Sequence, residues 1–207
     1  MKFLVLLTTL SLLLPNLAGA QALTPDTPPD VLVKNVTNEV LAIVRKDKDI
    51  QSGNHQKAIG LVETKVLPHF DFTRMTQLSL GRDWRKATPE QQKTLADQFR
   101  TLLVRTYSSA LNEYKSQVIE FKPFKMKPGA TDVKVQTQIS QSGSRPIPLD
   151  YYLEKLPQGW KVYDIEVDGI SLVINYRESF ASEVRRGGIE GLIKTLEAKN
   201  RSDAAGK

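Results

Sequence analysis

The order of hydrophobic periods along this chain predicts an α+β fold built on one antiparallel sheet. Apolar residues recur at helical spacing as far as Tyr114, alternate with polar residues between about 118 and 168, and return to helical spacing after Gly169. Only short turn sequences separate the alternating segments, and short connections favour antiparallel neighbours. Helices, then strands, then helices again are typical of an α+β domain rather than a parallel α/β sheet.

The first three helices are marked by their stop signals. Apolar residues at helical spacing predict a first helix over about residues 29–47, a second over 55–67 and a third over 72–80. Pro68 ends the second helix, and Gly81 supplies a natural C-cap for the third. The part of the domain before the sheet is therefore predicted to be helical.

A longer helix completes this helical part. Its start is the sequence Thr88-Pro89-Glu90-Gln91, in which Thr88 is an N-cap, the proline fits the first helical position, and Gln91 completes a capping box. No Gly or Pro follows before Pro123. The apolar stripe predicts a helix of about 25 residues, which we expect to lie across the sheet.

The strand block contains four alternating segments, over about residues 118–124, 131–140, 147–156 and 159–168. The turns between them are Pro128-Gly129, Ser142-Gly143-Ser144 and Pro157-Gln158-Gly159. This pattern predicts a four-stranded antiparallel meander.

Helical spacing resumes after the strand block. Gly169 is expected to allow a tight strand-to-helix bend that turns Ile170 and Val173 inward. A helical stripe then runs as far as Val184, Gly187-Gly188 interrupts it, and a last short helix follows. About six helices are therefore expected around the sheet.

The first 20 residues have the pattern of a secretory signal peptide. Lys2 precedes an apolar run that ends at Leu14, and Ala18-Gly19-Ala20 provides small residues for cleavage after Ala20. The run is shorter than the ~20 apolar residues that a membrane-spanning helix needs. We therefore expect residues 1–20 to be removed and the mature protein to be exported.

The rest of the chain is expected to form one domain. The Pro/Thr-rich residues 21–29 are interpreted as a leader, residues 30–199 as the domain, and the polar residues 200–207 as a disordered tail. There is no cysteine, so the core alone must hold the fold in an oxidising compartment. The net charge of +6 suits anionic lipid headgroups, acidic partners or simply a solvated surface.

No convincing catalytic or metal-binding constellation is present in the sequence. Cysteine chemistry is impossible, and the two histidines, His55 and His69, lack the companions that a triad or a zinc site requires. One enzymatic hypothesis stays open: Asp164 with Tyr163 or Tyr151 could serve an isomerase whose acid lies in an apolar pocket. A periplasmic adaptor with a fully packed core is a third hypothesis.

Large apolar residues are available to line one interior volume. The candidates are Phe99, Leu103, Tyr107 and Leu111 on the long helix, Val133, Val135, Leu149, Tyr151, Ile165 and Val167 on the strands, and Ile170, Val173 and Ile174 after them. Periodicity alone does not distinguish a core packed to normal density from a pocket. The spacing of these residues therefore predicts only an apolar interior.

Five longer motifs stand out in the chain: Pro68-His69-Phe70-Asp71-Phe72-Thr73-Arg74-Met75, Leu80-Gly81-Arg82-Asp83-Trp84-Arg85, Thr88-Pro89-Glu90-Gln91, Trp160-Lys161-Val162-Tyr163-Asp164 and Asp168-Gly169-Ile170-Ser171-Leu172-Val173. Together they resemble the motifs of the MlaC family, also called toluene-tolerance proteins. They occur in the order typical of the family and span most of the chain after residue 20.

The resemblance implies a periplasmic phospholipid carrier that shuttles lipid between the outer and inner membranes and maintains outer-membrane lipid asymmetry. It implies a twisted antiparallel sheet wrapped by helices, with acyl chains between them and the headgroup outside. It also implies a monomer with two partners: an inner-membrane ABC transporter carrying a substrate-binding hexamer, and an outer-membrane lipoprotein–porin complex. No cofactor and no catalytic residue are expected, and phospholipid is the ligand.

Elementary energetics agree with a featureless apolar pocket. Two acyl chains carry on the order of 30 methylenes, and at ~0.8 kcal/mol each their exposure to water would cost roughly 25 kcal/mol. A carrier must nearly match the bilayer, since weaker binding prevents loading and much tighter binding prevents release. We therefore expect a pocket with few polar anchors.

Overall fold

Six α-helices and five strands make up the part of the chain that the computed structural model describes, residues 23–205. The helices are α1 (Pro29–Lys46), α2 (Lys48–Gln51), α3 (His55–Leu61), α4 (Phe72–Leu80), α5 (Pro89–Tyr107) and α6 (Arg177–Ala205). The strands are β1 (Val118–Phe121), β2 (Asp132–Ser140), β3 (Ile147–Leu156), β4 (Gly159–Val167) and β5 (Ile170–Ser171). The α+β class is confirmed. The expected signal peptide lies outside the described residues.

The helix starts follow from local capping chemistry. The Thr88 hydroxyl accepts from the Gln91 backbone N–H at 3.2 Å, and the Gln91 side chain accepts from the Thr88 N–H at 3.1 Å, so the predicted capping box is confirmed. Asp71 likewise accepts from the Arg74 backbone N–H at 2.8 Å and caps α4. The α4 helix ends at Gly81, whose φ is +55°. None of the helices within residues 23–205 is long and apolar enough to cross a bilayer.

Two helices end in irregular turns instead of continuing. The second predicted helix is α-helical only to Leu61, after which a π-helical turn (Val62–Val66) and a 3-10 turn (Leu67–His69) follow. The long helix α5 is shorter than expected and passes into a 3-10 turn (Ser108–Leu111). Helical spacing of apolar residues does not reveal which hydrogen-bond pattern the backbone adopts, so these turns were not predicted.

The C-terminal helix corrects one expectation. Gly188, with φ +64°, breaks α6 where Gly187-Gly188 predicted an interruption. The tail from Asn200, expected to be disordered, is helical as far as Ala205. Asn200 is buried, and its amide donates to the Gln98 backbone carbonyl at 3.0 Å and to its side-chain oxygen at 2.8 Å. This contact with α5 fixes a segment whose composition alone suggests disorder.

The sheet is a meander of strand order β1-β2-β3-β4-β5, with every pair antiparallel. Four strands were predicted, and the fifth is the short β5 that pairs with the end of β4. Asp168 and Gly169 both have positive φ, 51° and 83°, as a two-residue type I′ hairpin requires. The Asp-Gly pair therefore reverses the chain instead of bending it into a helix.

One face of the sheet is apolar and the other is charged. Cross-strand rows such as Val135–Tyr151–Ile165 form the apolar face. The opposite face carries ion pairs, including Lys134 Nζ with Asp150 Oδ2 at 2.7 Å. The apolar face is the one that the helices can cover.

The core consists of three hydrophobic clusters. The helical cluster joins α4, α5 and α6 around Phe99 and Leu192. The sheet cluster joins α1 to the apolar face through Leu32 and Val135, and the N-terminal cluster joins α1, α2 and α3 around Val44.

Candidate functional site

An apolar cavity of about 210 Å³ lies where the three clusters meet. Its lining residues are Val62, Val66, Leu67, Phe70, Phe72, Met75, Leu103, Val104, Tyr107, Ser108, Leu111, Ile165 and Leu172. Met75 and Leu103 belong to the helical cluster, Ile165 packs against the sheet cluster, and Val66 and Leu111 pack against the N-terminal cluster. The cavity is thus a gap between three hydrophobic clusters, each of which is packed within itself.

The wall of this cavity offers almost no polar chemistry. Among the residues that the structure describes, no carboxylate, imidazole, ammonium or guanidinium group lines it, and the only side-chain hydroxyls in the wall are those of Tyr107 and Ser108. Burial raises the pKa of Tyr107 to about 12, with a further contribution from the neighbouring Tyr176 hydroxyl. The phenol is therefore neutral at any physiological pH, and the wall carries no charge.

Four of the predicted pocket residues line this cavity: Leu103, Tyr107, Leu111 and Ile165. They come from α5, the 3-10 turn after it, and β4. Helix α5 and the following turn thus face the strand across the cavity, which agrees with the expected position between helices and sheet.

The other predicted strand residues share the face but not the cavity. The register puts Val133, Val135, Leu149, Tyr151 and Val167 on the same side of the sheet as Ile165. Val135 is buried in the sheet cluster, and Val133 and Tyr151 pack against it. Burial raises the pKa of Tyr151 to about 12, although a hydrogen bond with Thr37 of α1 opposes the shift. Helix α1 therefore covers this part of the face.

The remaining four predicted residues lie elsewhere. Phe99 and Val173 are fully buried in the helical cluster and line no part of the cavity. Ile170 and Ile174, expected to point inward, are 61% and 41% exposed. The expected bend at Gly169 is in fact the β4–β5 hairpin, which leaves Ile170 on a two-residue edge strand.

Sequence reasoning missed much of the wall contributed by irregular backbone. Val62 and Val66 lie in the π-helical turn, and Leu67 lies in the 3-10 turn after it. Phe70 and Phe72 stack with ring centroids 5.9 Å apart. The four-residue spacing of the two valines was visible in the sequence, but it indicates only a buried helical stripe.

A larger groove of about 760 Å³ adjoins the cavity on its outer side. Leu67, Phe70 and Phe72 line both, so these three side chains separate the groove from the cavity. The groove also contains charged side chains of both signs, such as Asp97 and Lys161. The apolar environment is therefore confined to the inner side of these three side chains.

Comparison with known proteins places the chain in a family. Residues 34–198 match the family model described as MlaC protein. The chain belongs to the MlaC family. It is 29% identical over 172 residues to the toluene tolerance protein Ttg2D of Pseudomonas putida, covering 83% of this chain and 79% of that protein.

Two further proteins extend the comparison. The MlaC of Haemophilus influenzae, described as an intermembrane phospholipid transport system binding protein, is 24% identical over 177 residues, covering 83% of this chain and 82% of that protein. A phospholipid-binding protein from Ralstonia solanacearum, solved in complex with a phospholipid, is 42% identical with a TM-score of 0.77. That match covers 84% of this chain and 98% of the Ralstonia chain.

Asp164, the candidate acid of the isomerase hypothesis, acts as a structural link in this MlaC-family chain. Its Oδ1 accepts from the backbone N–H groups of Ile165 at 2.8 Å and Val173 at 3.2 Å, and its Oδ2 accepts from the Ser171 hydroxyl at 2.5 Å. Burial raises the pKa of this carboxyl, although these three hydrogen bonds oppose the shift. The carboxylate fastens the segment after β5 to β4 and does not line the cavity.

Asp164→Ala is therefore expected to lower the free energy of unfolding by about 2 kcal/mol, because it leaves the buried N–H of Val173 without its acceptor. Asp164→Asn is the matched control: its amide oxygen can still accept from both backbone groups, so a smaller loss is expected. Urea denaturation of both variants measures the difference. Equal stability of the alanine variant and the wild type would contradict the structural role.

Proposed function

We propose that this protein is a periplasmic phospholipid carrier that moves lipid between the outer and inner membranes and thereby maintains outer-membrane lipid asymmetry. The observation that carries the proposal is the cavity wall, which is apolar apart from two hydroxyls and lies between sheet and helices. Membership in the MlaC family and the likeness to the Ralstonia protein solved with a phospholipid support it.

The chemistry of the wall suits an acyl chain better than a reactive substrate. A methylene gains ~0.8 kcal/mol on leaving water for any apolar surrounding, and this gain does not depend on geometry. A wall without charges offers a chain the same kind of surroundings as a bilayer does, so partition between the two depends little on chain length or unsaturation. It also offers no carboxylate or imidazole for an isomerase-type reaction.

The size of the cavity implies that its walls move when lipid enters. Pockets for drug-sized ligands measure roughly 300–1,000 Å³, and a two-chain phospholipid is larger than such a ligand, whereas this cavity measures about 210 Å³. The wall includes the π-helical turn (Val62–Val66) and residues of the 3-10 turn (Ser108–Leu111). These turns join separate clusters, so we infer that loading widens the gap between clusters and leaves each cluster packed.

The partners and compartment belong to the same proposal. The signal-peptide pattern of residues 1–20 supports export to the periplasm. The family supports an inner-membrane ABC transporter with a substrate-binding hexamer and an outer-membrane lipoprotein–porin complex as the two partners with which the carrier exchanges lipid. We propose that the carrier acts as a monomer and needs no cofactor besides its phospholipid ligand.

Lipid extraction tests the proposal directly. Protein purified from the periplasm of an expressing bacterium is expected to release phospholipid on denaturation, at a constant molar ratio across preparations. Mass spectrometry of the organic extract measures the ratio, and an unrelated periplasmic protein purified through the same steps is the control. An extract no richer in phospholipid than the control would overturn the proposal.

A further inference from the structure

The loop between β1 and β2 is a concentrated patch of positive charge. Lys122, Lys125 and Lys127 lie within six consecutive residues, and no acidic residue occurs from Phe121 to Thr131. All three lysines are exposed. Basic residues in other exposed segments often have acidic partners on the same surface, as in the Lys93–Asp97 and Arg186–Glu183 pairs. The loop therefore carries surplus positive charge that its own segment does not neutralise.

The loop is held in place by its own apolar residues. Phe121 and Phe124 are half-buried and pack against the sheet cluster. The Lys122 backbone N–H donates to the Gln136 carbonyl at 3.0 Å, and the Ala130 N–H donates to the Lys127 carbonyl at 3.1 Å, which closes the turn. Because the two phenylalanines point inward, the lysines between and after them project outward.

An exposed methionine lies between two of these lysines. Met126 is 46% exposed, and Lys125 and Lys127 flank it. A large apolar side chain next to long cationic ones is the composition of segments that rest in a membrane interface. There the apolar group enters the boundary of the hydrocarbon region and the ammonium groups stay among the headgroups.

The concave side of the loop has free cations but no free anion. A depression of about 400 Å³ is lined by Lys125, Lys127 and Lys134, and Asp132 is the only carboxylate that the described part of the chain contributes to it. Asp132 is already bound by Arg74 at 2.7 Å, and Lys134 is already bound by Asp150. Within residues 23–205, Lys125 and Lys127 make no ion pair. They are therefore available to an external anion.

We propose that this loop, residues 122–131, docks the protein on an anionic phospholipid surface. Lysine is depleted at protein–protein interfaces, so a loop with three exposed lysines fits lipid headgroups better than a protein partner. Attraction of about 1 kcal/mol per lysine near such a surface makes the contact weak and reversible. This inference is independent of the carrier function proposed above.

Vesicle binding tests the docking proposal. The protein is expected to co-sediment with vesicles of equal parts phosphatidylglycerol and phosphatidylcholine, more strongly at low than at physiological salt, and not with phosphatidylcholine alone. The triple substitution Lys122→Gln, Lys125→Gln and Lys127→Gln is expected to weaken binding roughly fivefold per lysine. Met126→Ser is expected to weaken it with little change in salt dependence.

The matched control removes the same charge elsewhere. Lys34→Gln, Lys194→Gln and Lys199→Gln change three exposed lysines on α1 and α6, and this variant is expected to bind nearly as well as the wild type. Equal losses in both triple variants, or none in the loop variant, would overturn the proposal. So would binding of polyglutamate in place of vesicles, which would indicate an acidic protein partner. The phospholipid extracted from the loop variant is expected to be unchanged, so the two proposals fail separately.

Discussion

Phe99→Ala is expected to lower the free energy of unfolding by about 3–5 kcal/mol. The ring is fully buried, with edge-to-face contacts to Tyr176 at 5.0 Å and Phe180 at 5.1 Å between centroids. It joins α5 to the chain that returns after the sheet. Removing it leaves a cavity in the helical cluster, whose neighbouring helices can close only partly, so most of the packing energy is lost.

Equilibrium urea denaturation of delipidated protein measures this loss, since bound lipid would otherwise add its own stabilisation. Phe99→Leu is the control and is expected to cost less, because it keeps most of the buried volume. The lipid content of the variant is a second measurement, and it distinguishes a core role of Phe99 from a role in the lipid pocket. The folded Phe99→Ala protein is expected to carry a normal amount of lipid, whereas reduced loading would place Phe99 in the lipid pocket, as the sequence predicted.

Local chemistry explains why most elements could be predicted. The capping box at Thr88, the stop at Gly81 and the interruption at Gly188 depend on a few adjacent residues, and each is found where the sequence indicated. The β5 strand was missed although its signal is just as local. Asp168-Gly169 is a hairpin turn sequence. The apolar residues after it fit helical spacing over a longer stretch, however, and that spacing predicts a helix in place of a strand.

The site could be predicted only in part, because periodicity assigns a residue to a face and not to what covers the face. Val135, Tyr151 and Ile165 form one cross-strand row. Val135 and Tyr151 belong with the cluster that α1 covers, whereas Ile165 lines the cavity. That difference depends on which helix packs over each part of the face, a long-range outcome that no spacing along β2 or β4 contains.

The wall residues that were missed have a second physical cause. Leu67 lies in the 3-10 turn, Phe70 lies in extended backbone just after it, and Phe72 is the first residue of α4. Phe70 forms a parallel bridge to Val162 of β4, and the next residue donates its N–H to the Val162 carbonyl at 2.9 Å. The position of these aromatic rings thus depends on a strand about ninety residues away in sequence, which local pattern reasoning does not reach.

Ile165→Glu is expected to abolish lipid loading. Ile165 is half-buried in β4 and lines the cavity, so a carboxylate there would stand against acyl methylenes with no cation in the wall to pair with it. Leaving a charge unpaired in such a place costs several kcal/mol, which corresponds to a loss of roughly a hundredfold or more in the loaded fraction. Mass spectrometry of lipid extracted from purified variants measures the loss, and thermal unfolding checks that the variant is folded.

Ile170→Glu is the matched control, because it makes the same substitution on β5, which is joined to β4 by the Asp168-Gly169 hairpin. Ile170 pairs with the end of β4 but is 61% exposed, so its carboxylate would stay in water and loading is expected to be normal.

The pH dependence of lipid loading tests whether the charge of the introduced carboxylate causes the loss. An apolar wall raises the pKa of a carboxyl introduced at 165, so the neutral form becomes populated as the pH falls, and loading of Ile165→Glu is expected to recover in that direction. Equal loss in both variants, or a loss at 165 that does not respond to pH, would show that the cavity described here is not where the acyl chains bind.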